Sequence, residues 1–158
     1  MFEFNEDNRN ASGAELVNQA QALLSGQNDR IANAANLSAL LFHVLEDVNW
    51  VGFYFLKGDQ LVVGPFQGKP ACVQIPLGKG VCGKAASSLQ TQRVADVLSF
   101  EGHIACDADS RSEIVIPLVK DGELLGVLDI DSPLEDRFDE EDERFLAELA
   151  QAYLDSIE

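Results

Sequence analysis

Residues 113–131 read EIVIPLVKDGELLGVLDID and constrain the fold more than any other stretch. Two β-branched, apolar runs flank Asp121-Gly122. That dipeptide readily takes the positive-φ backbone of a tight hairpin turn. Antiparallel strands are therefore predicted over 113–120 and 123–131. An isolated hairpin is not stable in water, so further strands and helices must cover this one.

The remaining sequence supplies them. WVGFYFL (50–56) and LVVGPF (61–66) read as a second hairpin turning at Lys57-Gly58-Asp59. ACVQIPL (71–77) reads as a third strand and RVADV (93–97) as a short fourth. Between these two, GKGVCGKAASSLQ is a glycine-rich entry into a helix over 81–89. At the amino end, residues 12–24 carry Leu16, Ala20, Leu23 and Leu24 on one stripe, stopped by Gly26. Residues 29–47 carry Ile31, Ala35, Leu37, Leu41, Val44 and Leu45 at helical spacing, with Asn28 as N-cap. Residues 139–157 form a closing helix with an acidic first turn, which suits the macrodipole. Phe145, Leu149, Tyr153 and Ile157 line one of its faces.

The expected architecture is α+β, one domain over 1–158. A mainly antiparallel sheet of about six strands has the terminal helices packed on one face. Apolar surface left on those helices suits a second copy, so a homodimer is expected. The polar loop at 98–112 is long for a compact domain, and such loops tend to carry function.

Composition narrows the partners. A net charge of −16 argues against nucleic acid and against an anionic membrane surface, since both need a basic face. No apolar run reaches a membrane span. MFEFNEDNRN has neither the basic nor the apolar region of a signal peptide, so a cytoplasmic setting is expected. Three cysteines are an odd and sparse set for a secreted disulfide framework. In a reducing compartment any disulfide is transient and catalytic.

Several side chains invite chemistry. Cys106 stands in a polar loop among Glu101, Asp107, Asp109 and Glu113, with His103 and Arg111 nearby to offset them in part. His103 with Cys72, Cys82 and Cys106 has the composition of a zinc set, but no CxxC knuckle supports it, and no metal is expected. Cys82 opens a helix, where a thiol is acidified, or it is simply a small packed residue. Asp129 and Asp131 share one face of their strand by period two, either as a solvated strand end or as part of a site. Glu113 joins them only if the hairpin departs from a plain two-residue turn. A plain turn sets Glu113 opposite Ile130, whereas one extra residue sets it opposite Asp131. Trp50 and Tyr54 share a face as core or as a ligand wall. The amides at Val81 and Cys82 begin a helix and can hold one carboxylate, or the segment is only a tight turn.

NWVGFYFL, GPFQGKPACVQIPLGKGVCGKAA, DVLSFEGHIACDADSRSEIVIPL and GVLDIDSP, with cysteines spaced C-x9-C-x23-C, together resemble the GAF-domain free methionine-(R)-sulfoxide reductases. The resemblance implies a GAF-like fold and reduction of free methionine sulfoxide by thiol chemistry. It assigns Cys106 as the catalytic cysteine and Cys72 as the resolving one. Cys82 becomes a third cysteine of less settled role. Trp50 and Tyr54 would hold the substrate's methyl group. A sulfoxide oxygen leaves only when protonated, and clustered carboxyl groups retain a proton near neutral pH. Glu113 and Asp131 are therefore expected to supply the acid, so the odd hairpin register is predicted. Asp129 would meet the substrate's ammonium, and Val81 and Cys82 its carboxylate. No bound cofactor is implied; a thioredoxin-like dithiol is the expected reductant. The alternative is a GAF module that senses a small ligand without catalysis.

Overall fold

The structure, a computed structural model, describes residues 12–157. The MFEFNEDNRN stretch lies outside them. Helices α1 (Gly13–Leu24) and α2 (Arg30–Val44) precede strands β1 (Trp50–Lys57), β2 (Gln60–Gly68) and β3 (Gln74–Pro76). Helix α3 (Gly80–Ser88) and strand β4 (Gln92–Val94) follow, then β5 (Ser112–Lys120), β6 (Glu123–Ser132) and α4 (Glu140–Ser156). The six strands form one sheet in the order β3-β2-β1-β6-β5-β4, and every neighbouring pair is antiparallel.

Strand alternation divides the sheet into two chemically different faces. Val51, Phe53 and Phe55 of β1 point with Ile114, Ile116, Leu118, Leu128 and Ile130 into one apolar layer under α1, α2 and α4. Tyr153 of α4 packs on Phe53 there in a tilted pair with 4.7 Å between ring centroids, and its hydroxyl donates to Arg30 O. On the opposite face Trp50, Tyr54, Val115 and Val127 pack against α3. The terminal helices thus share one face, as expected, and the glycine-rich helix covers the other.

Local chemistry sets the element ends. Ser12 caps α1 and accepts from Glu15 N–H. Asp29, not Asn28, caps α2, accepting from Ala32 N–H at 2.7 Å. That helix ends at Val44 rather than 47, because the backbone turns extended at Leu45 (φ −72°, ψ 131°). Ile31 is 56 % exposed and lies outside the core to which its spacing assigned it. Asp139 and Asp142 close a reciprocal capping box at the start of α4. Strand β3 has only three of the seven residues expected, because Ala71-Cys72 lies off the ladder, Val73 keeps only the bond its O accepts from Val63 N–H, and Leu77 begins a turn. Strand β4 likewise stops at Val94, and a 3₁₀ turn (Val97–Ser99) starts the long loop.

The hairpin at Asp121-Gly122 does two things at once. Lys120 pairs with Glu123 across a two-residue turn whose central residues have φ of 53° and 79°. Leu118 then pairs with Gly126 while Val119 pairs with Leu124, so Leu125 is an extra residue in β6. Beyond this bulge every pairing shifts by one. Glu113 comes to lie opposite Asp131, and Val115 opposite Asp129. This is the register predicted from the chemistry.

Candidate active site

Three rows of paired residues build the floor. Trp50, Asp131 and Glu113 form one row across β1, β6 and β5; Gly52, Asp129 and Val115 form the next; Tyr54, Val127 and Pro117 form the third. All point to the α3 face. A side chain at Gly52 would put its Cβ 2.3 Å from Phe66 Cβ and 2.7 Å from Trp50 Cη2. Glycine there is what lets the indole lie flat across the row. The indole stacks between Tyr54 (5.7 Å) and Phe66 (5.2 Å), and its Nε1–H donates to Lys69 O. The two readings of Trp50 and Tyr54 therefore merge: both rings are buried and both line the cavity.

The carboxyl groups are the unusual part. Asp129 is 4 % exposed and Glu113 9 %. Burial pushes the pKa of Glu113, Asp129 and Asp131 well above the ordinary carboxyl range, and repulsion within the trio reinforces it. Among the described residues, Asp129 Oδ1 and Asp131 Oδ1 are buried without a hydrogen-bond partner. Such groups are costly unless they hold a proton or meet a ligand. The solvated strand end is therefore excluded for Asp129.

Cys82 Sγ lies over this trio and donates to Glu113 Oε2 at 3.9 Å. Burial and the nearby carboxyl groups raise its pKa, so of the two readings of Cys82 the small packed residue holds and the acidified thiol does not. Desolvation outweighs the helix terminus here. The start of α3 still offers donors. Gly80 N–H bonds Gly102 O and Gly83 N–H bonds Lys79 O, which leaves the amides of Val81 and Cys82 without an intrahelical partner.

The loop between β4 and β5 closes the top. Cys106 on this loop is joined to Cys72 by a disulfide, with their Cα atoms 5.3 Å apart across 34 residues of sequence. In this disulfide form neither thiol is available to the zinc set of Cys72, Cys82, Cys106 and His103. Two charges expected to offset the acids around Cys106 are spent otherwise. Arg111 pairs with Glu135 and Asp96. Burial lowers the His103 pKa, so the imidazole stays neutral at neutral pH. The compensating cation is instead Lys69, whose Nζ lies 2.6 Å from Asp109 and ties the two cysteine-bearing segments together. Asn49 Nδ2–H2 donates to Asp107 Oδ2 and Ser110 Oγ, pinning the same loop to the sheet. Sequence reasoning singled out neither Lys69, Asn49 nor Phe66. Only Phe66 carried a signal, as an aromatic in the strand beside Trp50.

These parts enclose a cavity of about 40 Å³ lined by Trp50, Tyr54, Val81, Cys82, His103, Cys106, Asp107, Glu113, Asp129 and Asp131 among others. That volume holds a few waters and is well below the space a ligand of amino-acid size needs. The nine residues expected in the site are thus assembled, eight of them on the cavity wall and Cys72 bonded to Cys106 at its rim.

The GAF domain family matches residues 31–158. A free methionine-R-sulfoxide reductase of Escherichia coli is 55 % identical over 86 % of this chain and 82 % of its own length. A protein of Bacillus subtilis named YtsP is 56 % identical over 86 % of this chain and 85 % of its own. Among solved structures, a free methionine-R-sulfoxide reductase of Neisseria meningitidis in complex with its substrate superposes with a TM-score of 0.89. It shares 41 % identity, covering 99 % of this chain and 93 % of that one.

Proposed function

This chain belongs to the GAF-domain family and, within it, to the free methionine-R-sulfoxide reductases, and from that premise we propose how its residues reduce free methionine-R-sulfoxide to methionine. The observation that carries the reading is a disulfide, Cys72–Cys106, set over a floor of three carboxyl groups, Glu113 and Asp129 buried and Asp131 half-buried.

In the reduced chain, the sulfur of Cys106 attacks the sulfoxide sulfur. Glu113, holding a proton and sharing it with Asp131, protonates the departing oxygen. The S–O bond to the substrate and the transient bond between the two sulfurs then break as the oxygen passes to Cys106. This leaves a sulfenic acid there and releases methionine as the thioether, while the proton from the Cys106 thiol replaces the one Glu113 gave. The thiol of Cys72 then attacks that sulfenic acid, expels water and forms the disulfide. A thioredoxin-like dithiol restores both thiols by exchange.

The geometry supports a role for each end of the substrate. The methyl group rests on Trp50 and Tyr54, where a sulfur with cationic character gains from the π-face. The unpartnered oxygen of Asp129 receives the ammonium. The amides of Val81 and Cys82 receive the carboxylate. Both charged ends of a free amino acid are thus used, and a peptide-bonded residue has neither. With the disulfide closed the cavity is too small for this ligand, so substrate enters after reduction. A homodimer and a cytoplasmic setting belong to the same reading.

A coupled assay tests the reading. With a thioredoxin system and each sulfoxide epimer, the R form alone sustains reductant consumption. No consumption with either epimer, together with tight binding of another small molecule, returns the chain to the sensor reading.

A further inference from the structure

We propose that Cys82, Glu113 and Asp129 form a binding site for a thiophilic divalent cation of the zinc type, with Cys82 Sγ and one oxygen from each carboxyl group as the protein ligands. The three donor atoms lie within 4.8 Å of one another, and all three residues are buried. In a tetrahedral zinc site, Zn–S and Zn–O distances of about 2.3 and 2.1 Å place sulfur and oxygen ~3.6 Å apart. Cys82 Sγ and Glu113 Oε2 are 3.9 Å apart. For that pair a contraction of a few tenths of an ångström is enough, and the Asp129 oxygen, within 4.8 Å of both, closes onto the ion by side-chain rotation.

A second observation points to a ligand at this place. Asp129 Oδ1 is buried, lines the cavity and has no hydrogen-bond partner among the described residues. The cavity beside it has room for an ion and a bound water as the fourth ligand. The donors come from α3, β5 and β6, elements that pack on one another, so the site is held without a flexible loop.

The donor set decides the ion. One thiolate with two carboxylates favours Zn²⁺ over Mg²⁺ and Ca²⁺, which take oxygen ligands alone. Binding releases the Cys82 proton and any proton shared by the carboxyl groups to solvent, with no change of oxidation state. Cys82 is outside the disulfide, so the site survives oxidation of the other two cysteines. The set differs from the one composition suggested, since Cys72, Cys106 and His103 take no part. The ion occupies the carboxyl floor, so it blocks reduction. That consequence rests on the proposed function, whereas binding itself does not.

The test uses the full chain in its disulfide form, where Cys82 is the sole thiol. Titration with Co²⁺ should give a near-ultraviolet sulfur-to-cobalt charge-transfer band that one equivalent of Zn²⁺ displaces and Mg²⁺ does not. Cys82→Ser should abolish the band. Asp129→Asn, or Glu113→Gln where the first fails to fold by circular dichroism, should weaken Zn²⁺ about tenfold or more in calorimetry. No band in the wild-type chain overturns the proposal, and so does Zn²⁺ affinity unchanged in the carboxyl variants. Binding without inhibition of turnover counts against the proposed function and leaves the site standing.

Discussion

Glu113 and Asp131 lie directly opposite one another in the β5–β6 ladder, brought there by a single extra residue, Leu125, in β6. Without that bulge Glu113 would face Ile130 and enter the apolar layer under the terminal helices. The pair is the acid of the proposed reaction. Glu113→Gln should lower kcat/KM by about 10²–10⁴-fold, the usual worth of a positioned proton donor. Asp131→Asn should cost less. Single-turnover formation of methionine measures both.

The raised pKa values set a pH profile with a definite sign. The acid works protonated, so in chelated buffer kcat/KM should hold through neutral pH and decline on the alkaline side. Asp129 is the largest charged contributor raising the Glu113 pKa. Asp129→Asn should therefore move that alkaline limb to lower pH. A limb that moves to higher pH contradicts the electrostatic account.

Stability should follow the same groups. A carboxyl group whose folded pKa is raised favours the folded state fully below its unfolded pKa, about 4, and loses that contribution as pH rises through the folded value. Asp129→Asn should raise Tm at alkaline pH more than at pH 5. Equal shifts at both values would separate Asp129 burial from its ionisation.

Cys82 should be a poor substitute for Cys72. It is buried, and its thiol is held protonated by desolvation and the carboxyl trio. Cys72→Ser should therefore complete one reduction and stall with a sulfenic acid on Cys106, detectable by dimedone labelling. Sustained turnover in this variant makes Cys82 a resolver.

Gly52 should tolerate no side chain. The Cβ of Gly52→Ala meets Phe66 Cβ at 2.3 Å and Trp50 at 2.7 Å. Overpacking of this kind costs about 1–3 kcal/mol. Tm should fall, tryptophan fluorescence should report a moved indole, and KM should rise. An unchanged fluorescence spectrum with normal kinetics argues that Trp50 is core only.

Much of this was legible in the sequence because periodicity and turn chemistry are local. Asp121-Gly122 marked the hairpin, and period two put Asp129 with Asp131. The bulge was not marked, because ELLGVL is apolar at nearly every position and no residue type singles out Leu125. Its presence followed only from asking what the chemistry required of Glu113. Partners set by tertiary packing were invisible. Arg111 reads as a neighbour of Cys106, yet its charge goes to Glu135 and Asp96. Lys69, 37 positions upstream of Cys106, meets Asp109 instead. The two readings of Cys82 stayed open because a helix start favours a thiolate while burial opposes it, and burial depth is not written in GKGVCG. Strand β3 was overdrawn because ACVQIPL is apolar enough for a strand but is bent away where Cys72 meets Cys106.

The central claim is that Cys106 and Cys72, and no other thiol, carry the two electrons of reduction. The most direct measurement incubates fully reduced chain with a stoichiometric amount of each methionine sulfoxide epimer and counts free thiols, then maps them by peptide mass. The account predicts loss of two thiols with the R epimer, a Cys72–Cys106 linkage, a free Cys82, and no loss with the S epimer. Three retained thiols with both epimers, or a disulfide that includes Cys82, would contradict it.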